Sequence, residues 1–215
     1  MPRSNRPNTY ERIIDASLKL FNKEGERSIS TNHIAAHMGI SPGNLYYHFR
    51  NKDEIIVQLF KRYSSALLAY LQNTPLPGSV SEARDYMAGV YQILWNYRFL
   101  FSDINSLLQR SVILLGEHNE FTRAKVSPLL VSLLTKLDEN GVIEANEIER
   151  EELALNLWLI TKYWFDFDSS LGRKQSEAVK FRGIRQSLTL IRPYVRADQR
   201  EAFQAVMAEL DAEIG

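Results

Sequence analysis

Cysteine is missing altogether from these 215 residues, which excludes a disulfide framework and any cysteine-based metal or redox centre. Histidine is scarce, with four in all. His33 and His37 sit one helical turn apart, but no acidic ligand beside them completes a set of the H-E-x-x-H kind, so no metal and no cofactor is expected. No apolar run approaches the roughly 18 residues that a membrane span needs. The opening "MPRSNRPN" is polar and basic with no apolar stretch behind it, unlike a secretory leader. A cytoplasmic protein without a membrane partner is expected. Glycine-rich phosphate loops and a G-x-S-x-G elbow are also missing, and the acids are spread over helix surfaces. Together these absences argue against an enzyme.

Net charge is zero as well, but the zero hides an asymmetry. Residues 1–62 hold ten lysines and arginines against six acids, while the remainder holds sixteen against twenty. A basic first third on an acidic remainder places any polyanion at the N-terminal end.

What is present is helical periodicity nearly throughout, so the fold class is all-α. Asn8 with Glu11, and Asn51 with Glu54, read as capping boxes; Ser30 and Ser41 read as further N-caps, with Pro42 at a favoured first position. Ile14, Leu18 and Phe21 form the apolar face of the first helix, and Gly25 and Gly39 supply stops. "NTPLPGS" at 73–79 cannot continue a helix and marks a boundary. The expected division is a small N-terminal domain over 1–51, a connecting helix over about 52–72, and a larger helical domain over 73–215. Beyond the boundary, helices are expected at about 81–97, 99–114, 119–139, 147–170, 176–192 and 199–213, with Pro128 kinking the third or splitting it in two.

Residues 41–54, "SPGNLYYHFRNKDE", carry the functional argument. Two short helices joined by "GIS" bury Ile34, Ala35, Met38, Leu45 and Phe49, which leaves Pro42, Gly43, Asn44, Tyr46, Tyr47 and His48 on the open side. That is helix-turn-helix logic, in which the second helix enters the major groove of DNA. Ser41 and the amides at the helix start suit a phosphate. The phenols of Tyr46 and Tyr47 suit phosphate oxygens or a thymine methyl, and His48, Lys52 and Arg50 add donors or charge. Tyr46 packing partly into the core, with its hydroxyl exposed, is an alternative compatible with a phosphate contact.

"GISPGNLYYHFRNKDEI" resembles the signature of the TetR family of bacterial transcriptional regulators, G-[IV]-S-x-G-x-L-Y-x-H-F-x-x-K-[DE]-x-[LI], at every position. "RIIDASLKLFNKEG" and "STNHIAAHMG" resemble the family's first two helices, so the likeness covers about residues 8–62, and 96–110 resembles one subgroup of regulators. The resemblance implies a homodimer reading a palindromic DNA operator. By position it implies that Thr31, Asn32, Pro42, Gly43, Asn44 and Tyr47 meet bases, and that Tyr46, His48 and Lys52 meet phosphates. Gly43 before Asn44 offers little bulk, which leaves the Asn44 amide as the best candidate for reading an adenine edge. The basic arm, Arg3 and Arg6, is expected either to reach phosphate or minor groove or to be disordered.

The remaining chain is rich in aromatics, consistent with an ordinary helical core or with a pocket for an apolar small-molecule effector. Tyr91, Trp95, Phe99, Trp158 and Tyr163 are the candidate pocket residues, with Asn105, Gln109 and Arg110 as polar groups that could orient a ligand or equally lie on a solvated face. Candidate dimer contacts are Leu157, Ile160 and Trp164 on one late helix and Ile184, Leu188 and Ile191 on the next, each set forming an apolar stripe. In family members such a pair of helices builds the interface, a self-complementary two-fold contact. The last helix, 199–213, is expected to cover the pocket or extend that interface. The leading reading is a repressor released by an effector. A DNA-bound adaptor acting through a protein partner is the alternative, and dry, filled packing around Trp95 and Trp158 would favour it.

Overall fold

The structure, a computed structural model, describes residues 8–173 and 176–214; Arg3 and Arg6 lie outside the described residues. Eleven α-helices are described: α1 Thr9–Glu24, α2 Thr31–Met38, α3 Pro42–His48, α4 Lys52–Asn73, α5 Val80–Asn96, α6 Ile104–Arg110, α7 Val112–Glu120, α8 Ser127–Glu139, α9 Glu147–Ser170, α10 Ala178–Ile191 and α11 Arg200–Ile214. The one extended contact among the described residues is a bridge between Ile143 and Val195. No described helix is long and apolar enough to cross a membrane.

Local chemistry explains the helix starts. The side-chain oxygens of Asn8, Ser30, Ser41 and Asn51 accept from the backbone N–H three residues on, at 2.9, 3.2, 3.2 and 2.9 Å. Each satisfies a donor the first turn leaves unpaired, a cap worth about 1 kcal/mol. The Ser30 cap is closed from the other side by His33, whose Nδ1 accepts from the Ser30 N–H. Gly39 ends α2 in the left-handed conformation, φ 67°. Its N–H and that of Ile40 bond back to Ala36 and Ala35, and the chain then turns sharply into α3.

α1, α2 and α3 close over Ile13, Ile14, Phe21, Ile34, Leu45 and Phe49, all buried. Ile55 and Leu59 of α4 are buried as well, and Tyr63, Leu67 and Leu71 carry the burial on along α4. The body stacks α8 and α10 on α9, with α5 and α11 against α10. Gly183 lets α10 approach closely: a Cβ there would lie 2.3 Å from Cε1 of Tyr91 and 2.7 Å from Cδ1 of Trp164.

The middle of the chain departs from expectation. In place of one helix over 99–114, a 3₁₀ turn at Arg98–Leu100 precedes α6, and the chain breaks at Ser111, whose hydroxyl caps α7 by accepting from Leu114 N–H at 3.2 Å. α7 then runs past the expected break near 119. The split expected near Pro128 takes the form of a wide π turn, Phe121–Val126, leading into α8. Proline has no N–H and its ring crowds the carbonyl four residues back, which a wider turn relieves. α11 packs on α5 and α10, with Phe203, Val206, Met207 and Leu210 buried.

Candidate functional site

The open face of the head is α3 with the start of α2. Leu45 and Phe49 turn inward, while Ser41, Pro42, Gly43, Asn44, Tyr46 and Tyr47 are exposed, Tyr47 to 84%. Only the Ser41 hydroxyl comes within 4 Å of where a Gly43 side chain would begin, so that surface is clear for an approaching partner. Tyr46 is half-exposed, and its hydroxyl lies 2.9 Å from Oγ1 of Thr31, tying α3 to the start of α2. Asn32 is exposed beside it. His48 is part-buried, edge-on to the rings of Tyr47 at 5.1 Å and Tyr10 at 6.4 Å. Tyr10 in turn stacks on Phe49 at 4.7 Å, so the core supports the His48 ring.

Lys52 is placed differently from the expectation of a phosphate contact. Its ammonium donates to the carbonyls of Glu26 and Ile29, both at 2.9 Å, and lies 2.8 Å from the Glu26 carboxylate. An ammonium has three protons, and all three are used inside the protein. Arg50 is the exposed cation at this corner; its backbone N–H donates to Glu54 at 2.8 Å.

Glu26 is also where the head meets the body. Only 8% exposed, it receives Arg110 of α6 at 2.9 Å, and Arg110 reaches Asp53 at 3.0 Å. Burial by itself pushes the Glu26 carboxyl up, but hydrogen bonds and charge from Arg110 and Lys52 outweigh it and hold the group below its ordinary value. Nearby, Arg27 pairs with Asp103, Lys61 lies 3.1 Å from Glu117, and the Asn22 amide spans the backbone of Asn96 and Phe99. The Phe21 and Phe99 rings, 5.1 Å apart, add an apolar contact.

The residues expected around an effector do not line one cavity. Tyr91 is buried, its hydroxyl 3.0 Å from Ser187. Trp95 stacks on Phe165 beneath the Arg98 guanidinium, and Phe99 faces the head. Asn105 and Gln109 are exposed, and Tyr163 donates to Asn105 at 3.1 Å. Of the expected residues, Trp158 borders a small interior void of about 20 Å³, which adjoins another of the same size. Around it lies a group that sequence reasoning missed. Tyr63 Oη, His118 Nδ1, Thr122 Oγ1 and Trp158 Nε1 are buried with no hydrogen-bond partner in the protein, as is Arg150 Nε elsewhere. Each such orphan costs about 1–3 kcal/mol. Three separate helices and the π turn contribute these four residues, so no spacing in the sequence marks them.

The dimer expectation also needs correcting. Leu157, Ile184, Leu188 and Ile191 are buried within the chain, which leaves only Ile160 and the rim of Trp164, of the six, at the surface. α9 has a second apolar stripe: Leu155, Leu159, Phe167 and Leu171 are exposed, with part-buried Tyr163 completing the four-residue spacing. Ile160, Tyr163 and the rim of Trp164 line an open depression of about 630 Å³ on this face, with Leu159, Phe167 and Gln186.

A helix-turn-helix with a clear outward face, carried on a helical body, defines a DNA-binding regulator. Residues 13–59 match the profile of the bacterial regulatory proteins of the tetR family, and residues 62–203 match that of a TetR bacterial transcriptional repressor domain. The chain belongs to the TetR family. A TetR-family transcriptional regulator from Marinobacter aquaeolei VT8 is 36% identical, with TM-score 0.84 over 95% of this chain and 99% of that one. The HTH-type transcriptional regulator YvkB of Bacillus subtilis is 23% identical over 159 residues, 69% of this chain and 78% of its own length. The fatty acid degradation regulator FadR of Bacillus halodurans shares the fold at 17% identity, with TM-score 0.65 over 86% of this chain and 96% of that one. Regulators of this family bind DNA and dimerise.

Proposed function

We propose that this protein is a homodimeric repressor that reads a palindromic operator through α3 and releases it when a small effector enters the body. The observation that carries this is the clear face of α3, where Asn44 and Tyr47 stand outward over a buried Leu45 and Phe49. Asn44 reads a base edge, with Pro42, Gly43, Tyr47, Thr31 and Asn32 around it. Ser41, Tyr46 and His48 hold phosphates, and Arg50 takes the part first given to Lys52. The protein acts on DNA in the cytoplasm.

The exposed stripe on α9 supports the dimer. Four exposed large apolar side chains, with part-buried Tyr163 filling the gap at one-turn spacing, form a patch of the kind that marks an interface. A two-fold axis through it pairs two heads for half-sites about one helical turn of DNA apart. The likeness of residues 62–203 to a bacterial transcriptional repressor domain supports repression.

The nearly filled interior favours a second reading, in which the protein is a DNA-bound adaptor with no effector. Four buried orphan atoms about Phe60 and Phe121 weigh against it, because a core closed for good gains nothing by leaving them unpaired. The test is selection of fragmented genomic DNA by the purified protein, followed by sequencing. A recovered palindrome supports the repressor reading. Retention of all fragments alike, lost in moderate salt, would leave electrostatic attachment alone and overturn operator reading.

A further inference from the structure

The residues that carry the four orphan atoms gather about two neighbouring rings, Phe121 and Phe60. Phe121 lies 5.7 Å from Tyr63 and 6.2 Å from Trp158, centre to centre, and 5.9 Å from Phe60, which lies 6.1 Å from His118. Thr122 is the next residue in the chain. Tyr63 is 1% exposed, so water has no access to it from the surface. Phe121 opens the π turn, whose extra residue per turn makes it the part of the wall least constrained by regular helix packing.

Trp158 joins this polar group to an apolar line. It borders a small void of about 20 Å³ together with Leu67, Val126 and Leu133. A second void of about 20 Å³ shares Met87, Leu133 and Leu157 with the first and continues to Leu188 and Ile191. Their walls are almost wholly apolar. Both are far below the roughly 300–1,000 Å³ of a formed ligand site, so a ligand must displace side chains to enter.

We propose that this core is the closed form of a binding site for an acyl-chain amphiphile whose head carries acceptor oxygens. The head replaces Phe121 among Tyr63, His118, Thr122 and Trp158, and the chain follows the line of voids past Met87, Leu133 and Leu157. The inference rests on the effector-responsive reading above and names the class of its effector. Head chemistry follows from the orphans. An indole N–H can only donate, and the phenol and threonine hydroxyls both donate readily. None of the four is a carboxylate. Burial, helped by the positive charge of Lys162, pushes His118 down to about 4, so its ring is neutral and adds no charge of its own. Such a site favours a carboxylate or an ester; with the Lys162 charge nearby and no carboxylate among the four, it disfavours an ammonium head. An unbranched chain suits two small voids in series better than a wide polycyclic ring system.

The test uses the full-length protein with three probes of equal chain length below their micelle concentrations: dodecanoic acid, methyl dodecanoate and dodecylamine. Calorimetry is expected to show one site per chain for the acid or the ester and none for the amine. Tyr63→Phe keeps the ring and removes only the hydroxyl, and should weaken binding about fivefold or more without lowering Tm. Leu133→Trp fills both voids and should abolish binding. DNA binding is measured on every preparation. Should neither acid nor ester bind while the wild type still selects its operator, the amphiphile site is wrong and the regulator reading stands. Equal binding of the amine, or binding indifferent to both substitutions, overturns the assignment of head or chain.

Discussion

Arg110→Ala tests the ionic joint between head and body. At about 3 Å and an effective dielectric constant near 20, the attraction between Arg110 and Glu26 is on the order of 5 kcal/mol before desolvation is charged against it. The Arg110 side chain is 37% exposed, so water screens much of that attraction. Glu26 also keeps Lys52 at 2.8 Å, so the substitution does not strand a buried charge. A loss of about 1–2 kcal/mol in urea unfolding is therefore expected. Hydrogen exchange should quicken locally in the Glu26–Ser28 turn and at the start of α4, since those segments lose their tie to α6. A double-mutant cycle with Glu26→Gln isolates the pair and should return a coupling of about 1 kcal/mol or more. A coupling near zero, with exchange at Glu26–Ser28 unchanged, would refute the joint.

Four further outcomes are expected. Asn44→Ala should weaken operator binding by about 1–3 kcal/mol and leave non-specific binding unaltered; equal losses on both DNAs would remove its base-reading role. Gly183→Ala drives a methyl group into the rings of Tyr91 and Trp164, and should lower stability by about 1–3 kcal/mol in chemical denaturation. Leu159→Lys puts a charge in the exposed α9 stripe and should yield monomers in sedimentation while the monomer's helical content is retained. Stability should fall with pH in two stages: His118, neutral in the fold, is lost as a stabilising group from about 6.5 down to about 4, and Glu26 and Asp168, held low by their arginines, follow as pH drops through the carboxylate range. In thermal scans His118→Gln should flatten the upper stage alone.

Legibility in the sequence divides by range. Caps such as Asn8, Ser30 and Asn51 act within three residues, so spacing alone identifies them. The face of α3 was readable for a similar reason: Leu45 and Phe49 lie one turn apart, and a seven-residue helix has only one other side. Lys52 was misjudged because its partners, Glu26 and Ile29, lie more than twenty residues upstream. In α9 the stripe through Leu157, Ile160 and Trp164 serves a monomer's core or a partner equally well by spacing; in the fold Leu157 is buried while Ile160 and the edge of Trp164 reach the surface. The second, through Leu155, Leu159, Tyr163, Phe167 and Leu171, was equally regular, and apolar spacing does not say which stripe meets which neighbour. Ser111, a weak cap in a long apolar stretch, split a helix that periodicity had joined.

A helix with apolar residues on opposite sides has consequences for how much of the protein a cell must keep. In the dimer proposed here, α9 is finished only when a second copy covers Leu155, Leu159 and Phe167. Folding and association then share one mass-action balance, and the melting temperature rises with the logarithm of protein concentration. A regulator present in few copies gives up part of its stability along with its partner. Dilution therefore thins out operator-competent molecules faster than in proportion to their number, which makes abundance itself a signal that the promoter reads.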